Sequence, residues 1–192
     1  MLALRDPNPS SWETVIDGCL SETAVVSLFE YISNNGTFSA EVNNPDRETG
    51  LDQDIRVSDI CWIDAKEETQ EIYYDIAHKV ELVNNGKYSY SLSFIESLQY
   101  SEYPEGGHYT WHVDSTLKDP EGQNRKLSFS ILLNDDFEGG DLEIFAGPEP
   151  VSIPMKKNQI LFFPSYLLHR VAPVTKGTRK ALVGWVRGPD FV

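Results

Sequence analysis

Apolar residues recur at helical spacing in two places in the first half of the chain. In "SETAVVSLFEYISNNG", which begins at Ser21, the residues Val25, Leu28, Phe29 and Ile32 share one face of a 3.6-residue repeat. Ser21 is placed to cap the N-terminus of this helix, and Asn35-Gly36 to end it. In "KEETQEIYYDIAHKVELVNNG", Ile72, Ile76, Val80 and Val83 make a second stripe. Acidic residues fill its first turn, where the helix dipole favours them, and Asn85-Gly86 closes it. The polar stretch between, "EVNNPDRETGLDQDIRVSD", reads as a long loop leading into a short strand, "ICWI".

After residue 87 the pattern changes to short β-like runs at 88–100, 108–114, 127–134, 141–145, 159–163, 167–172 and 179–187. Turn-forming residues separate them, among them Pro104-Glu105-Gly106-Gly107, Gly139-Gly140 and Lys176-Gly177. Many short strands at this spacing predict a sandwich or a jelly-roll barrel, with the two helices packed on one outer face. The fold class is therefore α+β. The whole chain, 1–192, reads as one domain, with 1–87 as mainly helical support and loops and 88–192 as the β core.

Composition narrows the function. Cys19 and Cys61 are too far apart for a disulfide framework or zinc-ligand spacing, and read as buried free thiols in a reducing compartment. The N-terminal "MLALRDPNPSSW" lacks the apolar core of a signal peptide, and no run approaches the roughly 20 apolar residues of a membrane span. A cytoplasmic protein without membrane attachment is the expectation. The net charge is −14. Residues 1–100 hold 18 acidic and 6 basic side chains, and residues 101–192 hold 12 and 10. Such a surface repels phosphate backbones, which argues against nucleic acid and for a neutral or basic substrate.

Candidate chemistry centres on "GGHYTWHVD", residues 106–114. Alternation along a strand would point His112 and Asp114 to the same face, with Val113 opposite. An imidazole and a carboxylate so placed suit iron(II), manganese or zinc. By itself, H-x-D is a weak signal. His169 lies 55 residues on, inside the apolar run "ILFFPSYLLHRV", and a jelly roll can bring such a late strand across from an earlier one. Two histidines and one carboxylate on one side of a metal leave the opposite coordination positions open, the pattern of iron(II) oxygenases. Arg179 follows 10 residues later and shares a strand face with Ala181, Val183 and Trp185. If that face is interior, the guanidinium needs an anionic partner. Lys180, on the opposite face, is the second choice for an anion clamp.

The segments "LQYSEYPEGGHYTWHVD", "KLSFSILLNDDFEGGDLEIF" and "FFPSYLLHRVAPVTKGTRKALVGWVRG", spanning about 98–188, resemble the 2-oxoglutarate- and iron(II)-dependent dioxygenases, in the prolyl 4-hydroxylase-like branch. The resemblance implies a double-stranded β-helix, or jelly-roll, core. It implies His112, Asp114 and His169 as iron ligands and Arg179 as the partner of the far carboxylate of 2-oxoglutarate. It further implies Tyr103 in contact with the cosubstrate, and Tyr109 and Trp185 as aromatics lining the pocket. Leu132 departs from the pattern, since relatives often carry a tyrosine there. His78 and His108 match no ligand position; His78 reads as a solvated helix residue and His108 as a neighbour of the site. The implied cofactors are Fe(II), 2-oxoglutarate and O2, with ascorbate as an optional addition. The implied reaction is hydroxylation of a C–H bond, foremost a prolyl one in a peptide or protein, with a free amino acid or other small molecule as the alternative. A non-catalytic metal-binding jelly roll and a zinc hydrolase stay open as other classes. Segments 41–54 and 115–126 are candidate substrate lids.

Overall fold

Both predicted helices form, but the first turns a different face inward. The structure is a computed structural model that describes residues 12–41, 50, 52–115 and 122–190. Helix α1 spans Glu22–Asn35. Ser21 is extended and its Oγ accepts from the Ala24 amide at 3.3 Å, a cap worth about 1 kcal/mol. Gly36 ends the helix at φ 72°, a conformation that costs glycine little. The buried face is Ala24, Leu28 and Tyr31, rotated from the expected stripe, and Phe29 is 38% exposed. The small Ala24 lets the helix approach its neighbour closely, while Val25 and Ile32 sit at the margin of that contact.

Helix α2 spans Gln70–Val83, and Ile72, Ile76, Val80 and Val83 are all buried. Its end departs from expectation. Instead of stopping at Asn85-Gly86, the chain continues through a π-helical turn, Asn84–Tyr88, and stops at Ser89 in the left-handed region. The Asn84 amide holds this exit by bonding both the N–H and the C=O of Tyr90 at 2.9 Å.

The described residues contain fifteen strands, numbered in chain order, with β1 before α1 and β2 to β4 between the two helices. The first five are β1 (Thr14–Ile16), β2 (Phe38–Ser39), β3 (Arg56–Val57), β4 (Asp59–Ile63) and β5 (Phe94–Ile95). Next come β6 (Leu98–Tyr103), β7 (His108–His112), β8 (Gln123–Leu132), β9 (Glu138–Gly139) and β10 (Leu142–Phe145). The last are β11 (Pro150–Ile153), β12 (Ile160–Pro164), β13 (Leu168–Val171), β14 (Val174–Lys176) and β15 (Arg179–Pro189). The larger sheet runs β1-β12-β8-β15-β6-β4-β2, with β5 beside the far end of β15. The smaller sheet runs β11-β10-β13-β7-β3, and β9 pairs with β14. Every pairing among the described residues is antiparallel, as a jelly roll requires.

Three expected runs need correction. Residues 88–100 are not one strand: Tyr88 lies in the π turn, and only 94–95 and 98 onward pair. The run expected at 127 starts at Gln123. Strand β7 stops at His112, so Asp114 is not a strand residue. The shortest strands, β1, β2, β3, β5, β9 and β14, lack enough residues for alternation to show.

The larger sheet positions the site through strict two-residue alternation. Leu127, Phe129 and Ile131 of β8, Leu98 and Tyr100 of β6, and Leu182 and Val186 of β15 join the core beneath the helices. Their neighbours, Ser128 and Ser130, Gln99 and Ser101, Arg179, Ala181 and Trp185, are also buried but face the smaller sheet. Gly184 sits at the centre of β15 because a Cβ there would stand 2.5 Å from the Phe129 ring. A second apolar cluster, including Leu161, Phe163, Ile144 and Val174, fills one part of the space between the sheets. The remainder is a cavity lined by both polar and apolar side chains.

Candidate active site

Strands β7 and β13 are neighbours in the smaller sheet, with His112 and His169 directly opposite in register. Their rings lie side by side, centroids 4.2 Å apart. Asp114 reaches the same point from beyond the strand end. The amides of Asp114 and Ser115 both donate to the Ser165 carbonyl, at 3.1 and 3.0 Å, and this bend turns the carboxylate inward. Asp114 Oδ2 is 3.4 Å from His169 Nε2, and Asp114 Oδ1 is 3.8 Å from His112 Nε2. One ligand atom from each residue lies within 4.8 Å of the others.

The donor set fits a divalent metal. His112 Nδ1 faces the Thr110 carbonyl at 2.8 Å, and His169 Nδ1 faces the Leu167 carbonyl at 2.9 Å. A carbonyl only accepts, so each Nδ1 carries the proton and each Nε2 presents its lone pair to the cluster. Burial, with His169 beside it, pushes the His112 imidazole down to about 4, so it is neutral and ready to ligate. Burial pushes the Asp114 carboxyl up, but His169, His112 and the Ser128 hydroxyl outweigh it and hold the group below the usual range. Ser128 Oγ donates to Asp114 Oδ2 at 2.7 Å and is itself 2.9 Å from Ser165 Oγ. Ligand atoms about 2.1 Å from one octahedral ion stand about 3 Å apart, a spacing these side chains reach by small rotations.

The cluster opens into a cavity of about 430 Å3 between the sheets. Arg179, the first residue of β15, projects into it and is 3% exposed. Its register partner is Tyr103, whose ring centroid is 5.6 Å from the guanidinium carbon. Gly140 makes room for it, since a Cβ there would come within 3.0 Å of Arg179 Cδ. Burial works against the Arg179 charge, Tyr103 and Asp141 favour it through their fields alone, and among the described residues no carboxylate forms an ion pair with it. Lys180 does not serve as a clamp here: it points to the other face, 3.5 Å from Glu102.

The cavity's aromatics are layered. Tyr109 stacks on the His112 ring at 3.7 Å, and burial raises its phenol pKa. Trp185 is covered by the Arg125 guanidinium at 3.9 Å, and Glu96 grips Arg125 through two bonds of 2.8 and 2.6 Å. Leu132 is buried on the Ser128 and Ser130 face of β8, opposite Ala181. His108 bonds the Gly106 carbonyl and does not line the cavity, and His78 is exposed on α2. Most of 41–54 and the middle of 115–126, including Asp46 and Glu48, lie outside the described residues.

Sequence reasoning missed Arg56, Trp62, Gln99, Arg125 and Ser128, all of which line the cavity or touch its ligands. For Ser128 a signal existed: serines alternate with Leu127, Phe129 and Ile131, marking a second buried face that is polar. Arg56 sat in a stretch too polar and irregular to assign.

Comparison with known proteins agrees with this architecture. Residues 98–187 match the model of the 2OG-Fe(II) oxygenase superfamily. A PKHD-type hydroxylase of Gloeothece citriformis is 40% identical over 95 residues, 48% of this chain and 43% of that one. A PKHD-type hydroxylase of a Synechococcus species is 45% identical over 84 residues, 43% and 37% of the two chains. The matched segment thus spans less than half of these relatives. Among solved structures, a Pseudomonas putida prolyl-4-hydroxylase superposes with a TM-score of 0.71 at 22% identity, covering 92% of both chains. A Trichoplax adhaerens prolyl hydroxylase, solved with a hypoxia inducible factor peptide fragment, gives 0.72 at 18% identity, covering 92% of this chain and 84% of that one. Residues 98–187 are thus similar in sequence to the 2OG-Fe(II) oxygenase superfamily, and the fold is the jelly roll seen in the prolyl hydroxylase structures. No helix among the described residues is long and apolar enough to cross a membrane.

Proposed function

We propose that this protein is an Fe(II)- and 2-oxoglutarate-dependent hydroxylase of the prolyl 4-hydroxylase kind, acting on a peptide or protein. The observation that carries the reading is the buried Arg179 guanidinium, without a carboxylate partner among the described residues, in the same cavity as His112, Asp114 and His169. A scaffold or a zinc hydrolase has no use for an unanswered cation beside its metal, whereas a dicarboxylate cosubstrate answers it. His112, Asp114 and His169 would hold the iron, and Arg179, with Tyr103 beside it, would receive the far carboxylate of 2-oxoglutarate. Iron held by His112, Asp114 and His169 would supply the chemistry that decarboxylates the keto acid and oxidises the C–H bond. The chain's part is to orient and to exclude water. Ser128 fixes the Asp114 carboxylate, the Thr110 and Leu167 carbonyls fix the imidazoles, and Tyr109 and Trp185 wall the space where substrate meets the metal. The single-domain reading of residues 1–192 and the roles of these side chains belong to the same proposal.

The test is an anaerobic titration of the metal-free protein with Fe(II) and 2-oxoglutarate, following the iron–keto-acid absorption band, then succinate formation once oxygen is admitted. The band and 2-oxoglutarate-dependent succinate are expected. An R179A variant should bind iron normally but raise the KM for 2-oxoglutarate by about 100-fold, since a buried charge-assisted pair is lost. Tight zinc binding with no band would instead favour the hydrolase.

A further inference from the structure

The cavity contains a second buried cation. Arg56, on the edge strand β3, is 7% exposed and pairs in register with Tyr109. Its guanidinium carbon lies 4.7 Å from the Tyr109 ring centroid, and Tyr109 in turn stacks on His112. Arg56 Nε donates to Ser58 Oγ at 2.7 Å, and Nη2 lies 3.4 Å from Ser101 Oγ. These are neutral acceptors and they engage two of its five N–H groups. Glu41 lines the same cavity, yet among the described residues no carboxylate forms an ion pair with Arg56.

Formal charge shows what is missing. On the hydroxylase reading, on which this inference rests, a divalent iron, the Asp114 carboxylate, a doubly charged keto acid and Arg179 sum to zero. Arg125 is answered by Glu96. Of the charges lining the cavity this leaves the buried Arg56 and the exposed Glu41, which forms no ion pair with it, so the guanidinium stays without a carboxylate in contact. We propose that Arg56, flanked by Ser58 and Ser101, receives a carboxylate of the substrate. The molecule hydroxylated then carries an acidic group near the reacting carbon. That carboxylate comes either from an acidic side chain of a peptide or from the free carboxyl group of an amino acid. This replaces the expectation, drawn from net charge, of a neutral or basic substrate: charges across the surface are screened by salt, while a guanidinium inside the cavity acts on the bound molecule directly.

The test uses paired probes on the wild-type protein loaded anaerobically with Fe(II) and 2-oxoglutarate. One pair is L-proline and L-prolinamide. The other is a set of capped peptides with Glu or Gln on either side of a proline. Binding is read by quenching of tryptophan fluorescence, since Trp62 and Trp185 line the cavity, and by the shift of the iron–keto-acid band. In at least one pair the carboxylate member should bind about 10- to 100-fold more tightly, the range for a buried hydrogen bond to a charged group. Which pair shows it identifies the source of the carboxylate. R56Q should level the preference while leaving 2-oxoglutarate affinity within about threefold, and R56K should retain part of it. If no carboxylate probe outbinds its amide twin, including the case in which none binds, the inference falls; this comparison needs no variant to fold. It falls too if R56Q weakens 2-oxoglutarate as strongly as the probe, for Arg56 would then serve the cosubstrate. Absence of the iron–keto-acid band in the wild type would instead overturn the hydroxylase reading itself.

Discussion

The two faces of the larger sheet come from the same strands and are both buried, yet they differ in chemistry. Toward the helices, β8 presents Leu127, Phe129 and Ile131, which pack with Ile72, Ile76 and Leu28. Toward the smaller sheet it presents Ser128 and Ser130, beside Gln99, Ser101 and Arg179. The first face gains stability from apolar area removed from water, about 25 cal/mol for each Å2. The second face buries hydroxyls, amides and a guanidinium, which repay their desolvation only when each finds a partner. One side of each strand thus stabilises the fold, and the other spends stability on a preformed site.

Substitutions on the two sides should therefore separate stability from binding. The largest effect is expected for D114A. Equilibrium dialysis should show Fe(II) affinity reduced by more than about 100-fold, because a direct ligand contributes more than the outer partners that cost 10- to 100-fold. Denaturant melts of the metal-free protein at pH 7 should show D114A losing less stability than a core truncation but still some, since a carboxyl held below its usual range favours the fold and its Ser128 bond is lost with it. On the helix side, I76A should behave in the opposite way. It should lose about 2–5 kcal/mol in urea unfolding and keep iron affinity within about twofold. Equal damage to metal binding from I76A would show that the two faces are not independent. Between these extremes lies S128A, which removes the donor that orients Asp114. Iron affinity should drop about tenfold with little change in unfolding.

The smallest effect is a pH signature at the sheet's rim. Burial raises the Glu96 carboxyl, but Arg125 and Arg187 outweigh it and hold it below its ordinary value. A depressed carboxylate stabilises the fold above its unfolded value and loses that contribution as pH falls through the folded one. E96Q should therefore cost about 1–2 kcal/mol at pH 7, and wild type and variant should converge as pH falls below the usual glutamate range. A constant difference across pH would mean that Glu96 acts by packing alone.

The sequence made the α2 stripe legible because Ile72, Ile76, Val80 and Val83 face one neighbour along their whole length. The α1 stripe misled because Val25, Phe29 and Ile32 are apolar enough to suggest a core face, while the packing selected the smaller Ala24. The Asp114 carboxylate was inferred from strand alternation, whereas a bend tied to the Ser165 carbonyl places it. Arg56 left no trace in the pattern, because a two-residue edge strand is defined only by its hydrogen bonds to β7.

By itself, the sequence determined which residues could be ligands, which strands alternate and which helix faces are apolar, since these depend on local spacing and side-chain chemistry. Only the tertiary structure decided that His112 and His169 stand opposite each other and that two guanidinia share one cavity. Those contacts join segments many residues apart, and the register between strands, rather than the composition of any one of them, sets their distance.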